Sequence, residues 1–246
     1  MASVTFQASA ENTTTAIEYT FSSIDFGTAA ANRYIIVGVS MKKQDAGDDI
    51  TNTTVTIGGV SATRIKTQAA SDTTTTPVVS LYIANVPTGT SGDVYVNIGT
   101  FVVDIGIGVW RTTGISATPT DTDGSSADDP TVNLDVLAGG IIVGVVINTT
   151  ALTTASWSGL TESYDDQIGA ITYGGASLDS ATTQTVTCTA DFAAPTAGGS
   201  RGAFASFPAV ASGPANLKTY NTNVVANIKT INTNVIANVK TLNTNV

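Results

Sequence analysis

The chain predicts an all-β fold carried on a C-terminal oligomerisation stalk. Three observations carry that expectation. Short runs rich in Val, Ile, Thr and Tyr alternate with clusters of Gly, Asn, Asp, Ser and Pro, the punctuation of strands and turns. Charged residues make up only 12% of the chain against 42% hydrophobic ones, so the body can bury a core and is not a disordered polymer. The last 31 residues, Asn216 to Val246, repeat one eleven-residue unit nearly three times. Such a unit buries its apolar positions only against its neighbours or other chains.

In chain order, the first half offers strands at Val4–Ala8, Ala16–Phe21, Tyr34–Met41, Thr53–Ile57, Val78–Ala84, Val94–Ile98 and Val102–Trp110. In Val94-Tyr-Val-Asn-Ile98, Val94, Val96 and Ile98 share a face while Asn97 points the other way. Tyr34-Ile-Ile-Val-Gly-Val39 is apolar on both faces, as a central strand would be. No amphipathic helix precedes the tail. The strand count and turn spacing suit a β-sandwich of jelly-roll or immunoglobulin-like kind.

The second half resembles the first. Gly140-Ile-Ile-Val-Gly-Val145 echoes residues 34–39, and Ala155-Ser-Trp-Ser-Gly-Leu160 echoes Val55-Thr-Ile-Gly-Gly-Val60. Ala170-Ile-Thr-Tyr173 follows Ser80-Leu-Tyr-Ile83, Thr185–Thr189 follows Val94–Ile98, and Arg201–Phe207 follows Gly106–Arg111. The expected organisation is a β module or half-sandwich over 1–113, a second over 114–207, a linker over 208–215 and the repeat stalk over 216–246, with the join near Thr112–Asp129. The glycine pairs Gly58-Gly59, Gly139-Gly140 and Gly174-Gly175 read as strand-end turns. A phosphate loop would need a following helix and a lysine.

Charge narrows the function classes. The formal net charge is −9, and three of the ten basic residues lie in the tail, leaving seven against 19 acids in the body. A surface that acidic excludes phosphate-backbone binding, so no nucleic-acid partner is expected. No apolar run reaches membrane-spanning length, so no membrane partner is expected either. The N-terminus lacks the basic and apolar regions of a secretory signal, which leads us to expect synthesis in a cytoplasm. The chain has no histidine, which removes Ser-His-Asp and Cys-His catalysis and histidine metal ligation. Cys188, alone in an alternating strand, reads as a small buried hydrophobe rather than a nucleophile.

Acidic clusters hold what chemical potential there is. They are Asp45–Asp49, Asp121–Asp129 and Glu162–Asp166. In the middle cluster, Asp121, Asp123, Asp128 and Asp129 with an intervening glycine have the composition of a calcium loop, without EF-hand spacing. A solvated loop is the default for it, and no other cofactor is expected. Paired acids alone do not specify a glycosidase, so a polysaccharide depolymerase ranks last. Trp110 and Trp157 read as core rather than as a sugar platform.

In the tail the apolar positions Leu217, Tyr220, Val224, Ile228, Ile231, Val235, Val239, Leu242 and Val246 are spaced 3, 4, 4. That period corresponds to a right-handed coiled coil. Yet 23 of the 31 residues are Asn, Thr, Val or Ile. Each costs roughly 0.4–0.7 kcal/mol against Ala, on the order of 10 kcal/mol in sum, so a lone helix would not form. A β stalk with Asn-Thr-Asn turns competes, and the coiled coil is favoured slightly. Both require self-association, with a homotrimer expected.

The units of type Ile228-Lys-Thr-Ile-Asn-x-x-Val235 resemble those ending many tailed-bacteriophage structural proteins. In those relatives Gly usually follows the Asn; here the triplet is Asn-Thr-Asn at 221–223, 232–234 and 243–245. The resemblance covers about an eighth of the chain. It implies a non-enzymatic protein of the virion surface, either decorating or cementing the capsid or forming a head fibre. The implied partners are the major capsid protein or another virion protein. A glycan-binding adhesin or receptor-binding tail protein, with a host surface glycan as partner, is the alternative.

Overall fold

The computed structural model describes residues 2–44, 53–69, 76–149, 153–169, 171–193 and 198–210. The tail positions 217–246, most of the linker and the Asp45–Asp49 cluster lie outside the described residues. The chain divides into a compact unit, Met1–Ala209, and a second unit, Val210–Val246. The description below concerns the first.

Among the described residues every regular element is a strand. In order they are β1 (Ser3–Asn12), β2 (Ala16–Asp25), β3 (Arg33–Lys43), β4 (Thr54–Ile57), β5 (Val60–Ser61), β6 (Thr63–Ala69), β7 (Thr76–Asn85) and β8 (Ser91–Thr113). Then follow β9 (Asp121–Ser125), β10 (Thr131–Val136), β11 (Ile141–Asn148), β12 (Ala155–Ser158), β13 (Thr161–Ile168), β14 (Ile171–Asp179), β15 (Gln184–Phe192) and β16 (Ser200–Phe207).

The pairings of the first half recur in the second. β3 lies between β7 and the C-terminal part of β8; β11 lies between β14 and β16. β6 pairs β7 and β13 pairs β14; β1 pairs the end of β8 and β9 pairs β16. β2 and β4 flank the start of β8, as β10 and β12 flank β15. All of these pairs are antiparallel. Each half is thus a five-stranded layer over a smaller one. In the first half β8 joins the two: its buried positions change from Val94, Val96, Ile98 and Val102 to Ile105, Ile107 and Val109. The change of phase lies between Gly99 (φ 75°) and a register irregularity opposite Lys42–Lys43, the kind of break that lets a strand switch sheets. In the second half the same path is divided into β15 and β16.

Three apolar clusters fill the spaces between layers. One, with Phe21, Val37 and Val96, lies inside the first half; another, with Leu134, Cys188 and Phe204, lies inside the second. The third joins the halves, packing Ile36, Leu81 and Trp110 against Val143, Val145, Tyr164 and Tyr173. Both five-stranded layers are therefore covered on both faces, which is why β11 and β16 are buried at every residue.

The contacts between halves are reciprocal. β1 packs on β13 and β6 on β9; β3 on β14 and β7 on β11; β8 on β13 and β14, and β16 on β6 and β7, with β3 facing β11. Exchanging equivalent strands returns this set, apart from an added packing of β1 on β14, so the pattern approximates an isologous dimer interface contained in one chain.

Several strands had no counterpart in the sequence reading. β6, β9 and β13 are polar enough to pass for loops, the short alternating β10 went unread, and residues 94–98 and 102–110 belong to one strand, β8. The boundary between the two sets of pairings falls at residues 114–120. The Ile-Ile-Val-Gly-Val match places equivalent strands together but in the wrong register. Ile35, Val37 and Val39 face the first half's interior, whereas Ile141, Val143 and Val145 face the joining cluster. One residue of slip exchanges the two faces of a strand. Gly174-Gly175 is also not a turn. It lies inside β14, and a Cβ on Gly175 would come 2.5 Å from Tyr164 Cε1 and 2.7 Å from the Trp110 ring.

Candidate functional site

At one end of the first half, three connections meet: the turn after β2, the β4–β5 hairpin and the β7–β8 loop. The last reads Asn85-Val-Pro-Thr-Gly-Thr90, with Asn, Pro and Gly as its turn residues. Gly58 and Gly59 both take positive φ (59° and 79°), as a two-residue hairpin of this twist requires.

Behind these connections lies Arg33, the first residue of β3 and fully buried. Its Nε donates to Val86 O (2.6 Å), Nη1 to Phe26 O (3.2 Å) and Gly27 O (2.8 Å), and Nη2 to Thr88 O and Gly89 O (2.7 Å each). The five N–H donors of a guanidinium are thus spent on five carbonyl oxygens. Burial, then the charge of Arg111, draws the Arg33 pKa below its ordinary value. Arg111 itself donates from Nε to Thr28 O at 2.8 Å, fastening the adjoining turn.

In front of Arg33 is a cleft of about 480 Å³, walled by Phe26, Gly58–Val60, Val86–Gly89 and Ser91–Asp93. Phe26 is buried and closes it from below; a Cβ on Gly92 would come within 2.7 Å of that ring. The exposed Asp93 accepts from Ser23 N–H (3.0 Å) through Oδ1, and its carbonyl accepts from Gly58 N–H (2.8 Å). Ser23 is the one non-glycine described residue with positive φ, 59°, so Asp93 holds a strained β-bulge in β2.

The four aspartates of the calcium expectation are placed differently from a cation loop. Asp121 and Asp123 lie in strand β9, not in a loop. Asp121 accepts from Thr122 N–H and Asp135 N–H, and Asp123 from Gly124 N–H. Asp128 and Asp129 accept from Gly198 N–H and Phe192 N–H, at 3.0 Å each. Each carboxylate thus closes a different piece of backbone. Among the described residues no three acidic or cysteine side chains gather as a metal site.

The Glu162–Asp166 cluster belongs to strand β13. Asp165 Oδ2 accepts from Ala155 N–H at 2.9 Å, and burial raises its pKa. Asp166 and Glu11, from the other half, share the hydroxyl of the buried Tyr173. Burial foremost, then those carboxylates, push that hydroxyl far above its ordinary pKa. Cys188 is fully buried, and desolvation pushes its thiol up to about 12. Trp110 is buried in the joining cluster and donates to Ser163 Oγ at 3.1 Å; Trp157 packs edge-on to Phe204.

Sequence reading did not single out Arg33 or the cleft. The available signal was an arginine opening a strand whose interior is apolar but for Ser40. No protein-family model matches the chain, and no curated protein matches it.

Proposed function

We propose that this chain is a non-enzymatic structural protein of a tailed-phage virion surface. It decorates or cements the capsid, or forms a surface fibre, as a homotrimer. The observation that carries the reading is the eleven-residue repeat of residues 216–246, whose apolar period has a use only in an assembly. A body with seven basic residues against 19 acids supports it, since such a surface stays soluble at high local density.

The mechanism is multivalent attachment. Three chains joined through their tails engage symmetric sites on the major capsid protein or another virion protein, and effective concentration converts weak single contacts into stable binding. The protein is made in the host cytoplasm and ends on the virion surface.

Analytical ultracentrifugation of the full chain and of a chain ending at 210 tests the reading, together with labelling of virions by an antibody against the body. Expected are a trimer for the full chain, a monomer for the truncated one, and label at regular surface positions. A monomeric full chain that leaves virions unlabelled overturns it. The cleft beside Arg33 favours a second reading, a receptor-binding role toward a host glycan.

A further inference from the structure

We infer that the cleft in front of Arg33 is a saccharide-binding site. The inference rests on the glycan-binding second reading above, not on the virion reading, and on a comparison between the two halves.

Both halves close the same end of the same strand pattern, but by different means. In the second half Gly139 N–H donates to Ser180 O (2.7 Å), Ser180 N–H to Gly140 O (2.9 Å) and Ala138 N–H to Thr183 Oγ1 (3.0 Å). Backbone and hydroxyl groups suffice there. The first half has backbone bonds of its own there, Phe26 N–H to Thr90 O (2.8 Å) and Val86 N–H to Arg33 O (3.3 Å), and adds a guanidinium that bonds only carbonyl oxygens. Burying a charge without an ionic partner is costly, and the second half closes this end without one. Arg33 does one thing the second half's closure does not. It fixes Phe26, Val86, Thr88 and Gly89, four wall residues of the cleft, from behind. Walls locked by buried hydrogen bonds are what a preorganised binding site requires.

The lining identifies the ligand class. At about 480 Å³ the cleft is open to solvent, so it would hold one face of a small ligand rather than enclose it. Asp93, Thr88 and Ser91 offer a carboxylate and two hydroxyls at the mouth, while Val60, Val86 and Pro87 offer an apolar wall. No lysine or arginine lines it, which disfavours phosphates and acidic peptides. Acceptors for hydroxyl donors beside a wall for C–H groups match the two sides of a pyranose ring. With the Arg33 charge behind and Asp93 in front, a neutral sugar fits best.

The test uses the full chain, isotope-labelled, with amide spectra recorded during titration of glucose, galactose, rhamnose, N-acetylglucosamine and N-acetylmannosamine. Expected are saturable shifts at Gly58, Gly59, Gly89 and Gly92 with at least one sugar. Thr88→Ala and Asp93→Asn should each weaken that binding about tenfold. Neither residue is buried, and Asn keeps the oxygen that accepts from Ser23, so both variants should fold. Asn133→Ala, on the other half, should leave binding unchanged. The inference is overturned if no sugar moves the four glycines. Shifts centred on Tyr95 and Asn97 instead, or cleft shifts produced by an uncharged peptide but by no sugar, would also overturn it.

Discussion

The ring of Tyr173 occupies the space that a side chain on Gly106 would need. A Cβ built there would sit well inside van der Waals contact with three ring carbons, Cδ2, Cε2 and Cζ. The relation repeats one pleat along β8, where Tyr164 covers Gly108, and across the joint, where Val145 Cγ1 covers Gly38. Large residues of one half thus enter glycine gaps of the other. Overfilling a packed core costs about 1–3 kcal/mol. We expect Gly106→Ala and Gly108→Ala each to lower stability by about that much in urea unfolding. Gly59→Ala, with nothing within 4 Å of the added carbon, tests backbone strain alone and should cost less. Equal losses at all three positions would contradict the packing account.

Arg33 offers a sharper loss. Replacing it by Met keeps much of the volume but leaves the carbonyls of Phe26, Gly27, Val86, Thr88 and Gly89 without their donors. Leaving buried acceptors unsatisfied costs about 1–3 kcal/mol each, less for the exposed Thr88 and Gly89, so the loss should be several kcal/mol. Arg33→Lys preserves the charge with at most three donors, so it should fall between wild type and Arg33→Met. Chemical denaturation midpoints would establish the order. A lysine variant as stable as wild type would show that charge, not the five-donor geometry, holds the loops.

Much of this architecture was legible in the sequence, and what was hidden has physical causes. Alternation revealed the start of β8, and continuous apolar runs revealed β3 and β7, because each has at least one face against a core. Both signals failed for β13, whose Glu162, Asp165 and Asp166 read as a loop yet pair with β14 at the edge of a sheet. They failed at Gly106 and Gly108 as well. Glycine carries no hydropathy signal, and what these two accommodate is a tyrosine some 60 residues away in the chain. The cleft was illegible for a related reason. It is assembled from three turns distant in sequence, and its organiser is an arginine that patterning assigns to the surface.

The thiol of Cys188 should be inert in the native protein. It is fully buried, its thiol is pushed up to about 12, and its Sγ approaches Val186 O at 3.7 Å. The thiolate is the reactive species, so neither access nor ionisation is available. A disulfide reagent such as DTNB should leave the folded protein unmodified and titrate one thiol per chain in guanidinium. Rapid native labelling would mean that the second half opens locally.

Stability should hold through neutral pH and fall in alkali. Tyr19, Tyr82, Tyr164 and Tyr173 all have hydroxyl pKa values raised mainly by burial, and Cys188 behaves alike. A raised folded-state pKa means that the native state holds its proton more tightly than the unfolded chain does. That contribution is complete below the unfolded values, about 8.5 for Cys and 10 for Tyr, and is lost as pH rises toward the folded ones. Urea midpoints should therefore decline from about pH 9 upward, and tyrosinate absorbance from the buried rings should appear only with unfolding. Tyr173→Phe removes the hydroxyl shared by Glu11 and Asp166, so it should soften the alkaline decline even if it lowers stability at neutral pH. Tyrosinate appearing gradually in a protein that stays folded would refute this.

The reciprocal joint between halves makes a further prediction. Residues 2–113 and 121–209 each contain their own two-layer pairing, and among the described residues the one isolated β-bridge at the connection is Ile115 with Ala209. The cluster that joins them is built from side chains, Trp110, Tyr164, Tyr173 and Val145 among them, rather than from a shared sheet. Association therefore does not depend on the covalent link. Its loss adds the entropy of bringing two bodies together, on the order of 4–15 kcal/mol at standard state, against a large apolar interface. Co-expressed chains split between Ser116 and Ala117 should assemble into a one-to-one complex that co-elutes and unfolds in a single concentration-dependent transition. Either fragment expressed alone should aggregate or pair with itself, because its five-stranded layer would expose Ile36, Leu81 and Trp110, or Val143, Val145 and Phe207. Gly38→Leu should abolish complementation while leaving the internal pairing of the first fragment in place. If both fragments were soluble monomers with no affinity for each other, the joining cluster would not be the core it is described as.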